Sequence, residues 1–239
     1  MIPSATQPSQ LKPHNKLLAR LPAEDYKRLA PSLEAVRLLS KSVLQGPEVP
    51  QQRIYFPGGG VCSIACMMAD GETVDVAAIG NDGFIGVTAF FKAKVELYDT
   101  VVRVPNNAVA MPLTAFWREM ERGGAFADAM TGYAQAFMAT LIQSAACNAL
   151  HPVEQRCARW LLDIHDRVGR PEFPLTQELL ATMLGVRRAS VTICAGGLHH
   201  GGIIDYGRNR MIIRDRARLE TTSCECYAAV KRHYAAILQ

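Results

Sequence analysis

Apolar positions change their period along the chain. From about residue 33 to residue 112 they form short runs separated by turn signals: Gly46-Pro47, Pro57-Gly58-Gly59-Gly60, Asp70-Gly71, Gly80-Asn81-Asp82-Gly83 and Pro105-Asn106-Asn107. Arg53-Ile54-Tyr55-Phe56 and Val61-Cys62-Ser63-Ile64 are runs of strand type, and Thr73-Val74-Asp75-Val76-Ala77 alternates, with Val74 and Val76 on one face. Short strands at this spacing predict an antiparallel sandwich or barrel. Asp70-Gly71, between two such runs, predicts a hairpin turn. Ahead of this region lies a Pro-, Ser- and Gln-rich start, read as a loose arm. Asn15 then offers a helix cap, and Leu21-Pro22-Ala23-Glu24-Asp25 places Pro and two acids where a helix begins.

After Pro112 the period becomes helical. Thr114-Ala115-Phe116-Trp117-Arg118-Glu119 begins a short helix that Gly123-Gly124 ends. A second helix is predicted over Ala125–Leu150, about 39 Å long at 1.5 Å per residue. Phe126, Met130, Tyr133, Phe137 and Leu141 recur at helical spacing, while Met138, Ile142 and Ala145 line a neighbouring face. A helix apolar on more than one side needs cover on more than one side. The sheet domain supplies one cover and a second copy of the helix the other, so Phe126, Met130, Tyr133, Phe137 and Leu141 are the expected dimer interface. Residues 129–153 carry no Asp, Glu, Lys or Arg and are long enough to span a bilayer. Their Thr131, Gln135, Thr140, Gln143, Ser144, Asn148 and His151 favour a helix buried against protein instead. His151-Pro152 breaks the run. An amphipathic helix follows, with Val153, Cys157, Trp160, Leu161 and Ile164 on one side, until Gly169-Arg170-Pro171 ends it.

The sharpest signal lies between Leu175 and Val191. Thr176 can cap a helix, Glu178 suits its positive end, and Leu180, Met183 and Leu184 give it an inner face. Gly185 falls where a tight turn needs positive φ. Val186 and Val191 flank a second helix start, Leu198 continues its inner face, and small Ala181 permits close approach. This is helix-turn-helix spacing. Ile203-Ile204-Asp205-Tyr206, a turn at Gly207-Arg208-Asn209, and Met211-Ile212-Ile213 then read as a β-hairpin, which makes the unit a winged helix-turn-helix.

Charge agrees with this reading. The net charge of +4 is unremarkable, but residues 1–150 hold 13 basic and 13 acidic side chains, so the whole excess lies behind them. Residues 187–218 carry seven Arg against two Asp. A basic C-terminal part beside a neutral front points to nucleic acid. The expected DNA-contacting set is Thr176, Arg187, Arg188, Ala189, Ser190, Thr192 and Ile193, with Arg208 and Arg210 on the wing. Arg188 is expected to read a base and the wing arginines to hold phosphate.

With a β-roll, a long helix and a winged helix in that order, residues 18–215 resemble the Crp/Fnr superfamily, the cyclic-AMP receptor protein/fumarate–nitrate regulators. Asp82-Gly83-Phe84-Ile85-Gly86 and the stretch from Thr176 to Val191 carry the resemblance best. It implies an α+β chain with an antiparallel, cyclic-nucleotide-binding-like β-roll, a dimerisation helix and a C-terminal winged helix-turn-helix. The expected segments are an arm at 1–17, the roll at 18–115, helices including the dimer helix at 116–150, the DNA-binding domain at 151–218 and a helical extension at 219–239. In function it implies a bacterial, homodimeric, sequence-specific transcription regulator, with double-stranded DNA, a second copy of itself and RNA polymerase as partners. The alternative is a small-molecule or redox sensor whose roll binds an effector other than cyclic AMP.

Two departures bear on the effector. Cyclic-nucleotide binders follow Phe-Ile-Gly with an acid for the ribose and then an Arg-Ser pair for the phosphate. Here Val87-Thr88 follows Gly86, and the later stretch reads Val95-Glu96-Leu97-Tyr98-Asp99. A phosphate needs a fixed cation or backbone donors, and Asp99 has the wrong sign. The iron–sulfur members use an N-terminal cysteine cluster, and residues 1–61 contain no Cys. The recognition helix departs too, with Ala189 where an acid is common and Ile193 where Arg is common.

Other chemistry is weaker. Seven scattered cysteines, with no basic start or apolar run at the N-terminus, suit a reducing cytoplasm rather than a disulfide scaffold. Cys62 and Cys66 lie on one face of a strand and are read as core residues, with a thiol switch as the rival. Cys224, Cys226 and His233 lack a clear fourth ligand, so no metal site is expected, and no cofactor. His199-His200 are read as surface or phosphate-facing, and Gly196-Gly197 as a close-packing pair or an early fray. Residues 33–112 contain no His, against a cupin-like metal enzyme, and no catalytic constellation is present.

Overall fold

A computed structural model describes residues 14–47, 51–92 and 96–237. Two antiparallel sheets form the roll. One has the order β1-β7-β3, with β1 at Glu34–Leu38, β3 at Arg53–Pro57 and β7 at Asn106–Pro112. The other has the order β2-β6-β4-β5, with β2 at Val43–Gln45, β4 at Val61–Met67, β5 at Thr73–Ile79 and β6 at Asp99–Val104. Asp70-Gly71 makes the expected hairpin between β4 and β5, with Gly71 at φ +86°. The register then passes from Ile64↔Ala77 to Ala65↔Asp75, so Val76 is left out of the ladder as a bulge and is exposed. Asp75 is buried, where Arg103 of β6 grips both carboxylate oxygens at 2.9 and 2.5 Å.

Asn15 caps α1 (Lys16–Ala19), accepting from the Leu17 and Leu18 amides, and its own amide donates to the carbonyls of Pro57 and Gly83. Asn15, Leu17 and Leu18 are buried, so the expected arm boundary at residue 17 falls inside a packed segment. Residues 1–13 of that arm lie outside the described residues. A second short helix, α2, runs over Ala23–Leu29.

Helix α3 (Leu113–Arg122) leads through Gly123-Gly124 into α4 (Ala125–Leu150) and, after Pro152, into α5 (Val153–Val168). The last two have the predicted bounds. Phe84 is the hub of an aromatic cluster with Phe56, Phe90, Phe116 and Tyr133, at centroid distances of 5.0–6.1 Å. A Cβ on Gly83 would lie 2.2 Å from the Tyr133 hydroxyl, so the Asp-Gly-Phe-Ile-Gly stretch is where the roll accepts α4.

This docking overturns the expected dimer interface. Phe126, Met130, Tyr133 and Phe137 are buried in the chain's own core, and Leu141 packs on it. The face left exposed is Asp128, Thr131, Gln135, Met138, Ile142, Ala145 and Ala149. Its steps alternate three and four, the spacing of a coiled-coil seam.

The extension is not one helix. It breaks at Ser223-Cys224-Glu225 into α8 (Arg216–Thr222) and α9 (Cys226–Ile237). Helix α9 packs along α4 as well as on α5. Tyr227 and Val230 are buried there, and the Tyr234 ring stands 6.3 Å from that of Tyr133. The second cover for α4 is therefore partly the chain's own C-terminal segment.

Candidate DNA-binding surface

Helix α6 (Gln177–Leu184) starts at Thr176, whose hydroxyl accepts from the Leu179 amide at 3.1 Å. It ends at Gly185, in the left-handed region at φ +61° as the turn requires, and α7 (Arg188–His200) leaves at 109°. A Cβ on Gly185 would also come within 3.0 Å of the Val74 side chain, so the turn sits directly on β5. Leu180, Met183, Leu184, Val191, Ala195 and Leu198 close the core between the helices and α5. The wing is a three-stranded sheet in the order β8-β10-β9, from Glu172–Phe173, Arg210–Ile213 and Ile204–Gly207. Asn209 turns it at φ +56°.

Packing sorts the seven arginines of 187–218 into two groups. Arg214 pairs with Asp205 at 3.1 Å, Arg216 with Asp166 at 2.7 Å, and Arg218 donates to the Gly201 carbonyl at 2.6 Å. Arg187, Arg188 and Arg208 are exposed and make no ion pair among the described residues, and Arg210 only approaches Glu172 at 4.0 Å. Arg188 stands in the first turn of α7. Ala189, Thr192 and Ile193 share its exposed side, Ile193 being 77% exposed, while Ser190 is half-buried. An apolar side chain that far out of the core is available for contact with a base edge.

Thr192 is fixed from behind. Its hydroxyl lies 3.1 Å from both the Arg188 carbonyl and the Gln177 side-chain oxygen. Gln177 belongs to the site and escaped the sequence reading. As the first residue of α6 it faces the middle of α7, a relation that follows only from the crossing of the two helices. Thr176 lines a cleft of about 560 Å³ together with Lys41 and Arg103 of the roll.

Among the weaker readings, His199 and His200 lie on the surface and Cys62 in the core, as expected. His199 is held by the Ile204 carbonyl at 3.2 Å and Asp205 at 3.7 Å and fastens α7 to the wing. Helix α7 runs through Gly196 and Gly197 without fraying, and a Cβ on Gly196 would meet nothing within 4 Å, so neither close packing nor fraying describes this pair. Cys62 is sealed in the core, where burial pushes its thiol up to about 12, and Cys66 is half-exposed. Four strand residues span about 13 Å, beyond the reach of a disulfide.

Inside the roll, Glu96 is buried and accepts from Gln51 at 3.0 Å and from Thr88 at 2.5 Å. Burial raises its carboxyl above the usual range, the Thr88 hydrogen bond opposing it. Val95, part of the compared stretch, lies outside the described residues. His233 is not a partner of Cys224 and Cys226. Cys147 and His151 are, and the ligand atoms of the four lie within 4.8 Å of one another. Among the described residues no single helix is long and apolar enough to cross a membrane.

Residues 155–222 match the family model of the Crp-like helix-turn-helix domain. No curated protein matches the chain in sequence. Solved structures do match it in fold. FixK2 from Bradyrhizobium japonicum superposes with a TM-score of 0.65 at 16% identity, over 80% of this chain and 98% of that one. TTHB099, a CRP-family transcriptional regulator from Thermus thermophilus, gives 0.64 at 18% identity over 85% and 98%. The c-di-GMP-responsive global regulator CLP of Xanthomonas campestris gives 0.61 at 15% identity over 80% and 99%. At these identities the likeness is one of fold. Residues 155–222 carry a Crp-like helix-turn-helix domain, and the chain shares its fold with these solved structures.

Proposed function

We propose that this chain is a cytoplasmic, sequence-specific DNA-binding transcription regulator that works as a homodimer and contacts RNA polymerase. The observation that carries the reading is the division among the arginines. Those of α8 and the wing base are consumed by internal pairs, whereas Arg187, Arg188 and Arg208 stand out on the helix and hairpin that would meet a duplex. Arg188 can pair with both major-groove acceptors of guanine, and Arg208 at the hairpin tip meets backbone phosphate. Dimerisation uses the exposed α4 seam centred on Met138 and Ile142, which would set two recognition helices against successive major grooves.

Selection from random duplex DNA tests this. A two-fold symmetric site should be enriched and bound by two chains. Absence of any enriched sequence, or binding by a single chain, overturns the reading. A sensor role for the roll is compatible with it. The Gln45 and Gln51 side-chain oxygens are buried and have no hydrogen-bond partner among the described residues, and the Gln51 amide donates to Glu96 at 3.0 Å.

A further inference from the structure

Cys147 and His151 stand four apart at the C-terminal end of α4, and Cys224 and Cys226 flank Glu225 between α8 and α9. The three cysteines are 0%, 3% and 1% exposed and form a small buried cluster apart from the two main cores. The Cys147 and Cys224 sulfurs are 3.5 Å apart, and His151 Nδ1 is 3.5 Å from the Cys226 sulfur. A tetrahedron with metal–sulfur bonds of about 2.3 Å has edges of about 3.8 Å. All four ligand atoms lie within 4.8 Å of one another, a spread suited to one ion and too tight for a cubane iron–sulfur cluster. We propose that Cys147, His151, Cys224 and Cys226 form a structural zinc site that fastens the C-terminal helices to the end of α4.

The surroundings have the form of a second shell. The other ring nitrogen of His151, Nε2, lies 3.1 Å from Glu225 Oε1, the carboxylate–histidine arrangement that fixes the tautomer and leaves Nδ1 for a metal. Gln143 donates an N–H to the Cys226 sulfur at 3.0 Å, which favours a thiolate. Arg156 and Arg159 are buried beside the cluster, each with an Nε that has no hydrogen-bond partner among the described residues, and Arg159 also pairs with Asp163 at 3.4 Å. Zn²⁺ with three thiolates and a neutral imidazole carries one net negative charge, which the Arg156 guanidinium offsets while Arg159 is paired with Asp163. Thiolate and imidazole donors in a closed four-ligand set select zinc over hard cations. Binding releases the three thiol protons to solvent and involves no redox change.

The site also explains two features that packing leaves open. The chain breaks between α8 and α9 without Pro or Gly, and the break is where Cys224 turns in to meet Cys147. A buried cluster of three thiols adds little apolar area, yet it lies where α9 joins α4.

The test uses the full chain purified under reducing conditions without added metal. Elemental analysis should find zinc at about one ion per chain. After chelation, Co²⁺ should give thiolate-to-cobalt charge transfer with the strong visible bands of a tetrahedral site, and Zn²⁺ should displace it. Cys224→Ser and Cys226→Ser should lose stoichiometric metal, Cys66→Ser should keep it, and Glu225→Gln should weaken zinc binding about 10–100-fold. Wild-type protein that takes up neither metal, a six-coordinate cobalt spectrum, or a Cys147–Cys224 disulfide formed under reducing conditions each overturns the assignment. The wild-type measurements do not depend on whether any variant folds.

Discussion

On the proposed reading the two faces of α4 separate dimerisation from folding, and paired substitutions test that division. Ile142 is 66% exposed on the seam, and fully burying such a side chain is worth about 1.5–3 kcal/mol. Two-thirds of that is about 1–2 kcal/mol per copy, and a two-fold interface counts it twice, giving about 2–4 kcal/mol. Ile142→Ala should therefore weaken the dimer by about thirty- to eight-hundred-fold while leaving the monomer folded. Phe137 is 5% exposed and stacks on Tyr133 with centroids 5.8 Å apart. Phe137→Ala should cost about 3–5 kcal/mol of folding stability, with the chains that remain folded still dimerising. Sedimentation across a concentration series reads the first effect, and urea unfolding, with its dependence on protein concentration taken into account, reads the second. If Ile142→Ala left the dimer constant unchanged while Phe137→Ala dissociated a folded dimer, the assignment of inner and outer faces would be wrong.

Arg188→Ala should cost about 1–3 kcal/mol per half-site and relax preference at one base pair, read by titrating variant sites. Arg208→Ala should weaken all sequences alike and reduce the slope of log affinity against log salt by about one; a changed sequence preference would mean that helix and wing roles are exchanged. Calorimetry with millimolar cyclic AMP should show no binding heat, on the expectation that Val87 replaces a ribose-holding acid; saturable binding would overturn that expectation. Gly185→Ala should destabilise the fold by about 1–3 kcal/mol, from left-handed strain together with the Val74 contact, and a melting temperature equal to wild type would contradict that.

The chain announces most of its elements. Turn residues bracket the roll strands, Gly123-Gly124 and His151-Pro152 delimit α4, and Thr176 with Gly185 frames the first helix of the helix-turn-helix. What it does not announce is which side of α4 faces inward. Phe126, Met130, Tyr133 and Phe137 are apolar, but so are Met138 and Ile142, and periodicity alone cannot choose between two apolar stripes. The choice is made by Gly83, 50 residues earlier, whose missing side chain admits the Tyr133 ring. The cysteines pose the same difficulty. Cys147 and Cys224 are 77 residues apart, so no local spacing links them, and the nearer His233 draws attention instead. Gln177 and Thr192 meet because two helices cross at a turn. In each case the missing information is a tertiary juxtaposition with no footprint in local pattern.

Helix α5 joins the roll to the helix-turn-helix domain, alongside the direct seat of the Gly185 turn on β5. On the roll side, Arg167 is 6% exposed, lies 3.2 Å from Asp82, and packs so closely on Gly80 that a Cβ there would come within 2.5 Å of its side chain. On the helix-turn-helix side, Arg156 donates to the Leu184 carbonyl at the end of α6. On the third side, Asp166 binds Arg216 at 2.7 Å and the Tyr227 hydroxyl at 2.7 Å. Burial raises the Asp166 carboxyl, but these two partners outweigh it and hold it below the ordinary carboxylate value. Leaving one charge of a buried pair uncompensated costs about 3–5 kcal/mol. Allosteric couplings are commonly about 1–3 kcal/mol. If the roll binds an effector as proposed, a coupling of that size would leave the Asp82–Arg167 contact intact, because Arg167 is also held by the Asp163 carbonyl at 3.0 Å. Helix α5 would then move with the roll, and Arg156, which donates to the Leu184 carbonyl, would pass the displacement to the C-terminal end of α6, just before Arg188.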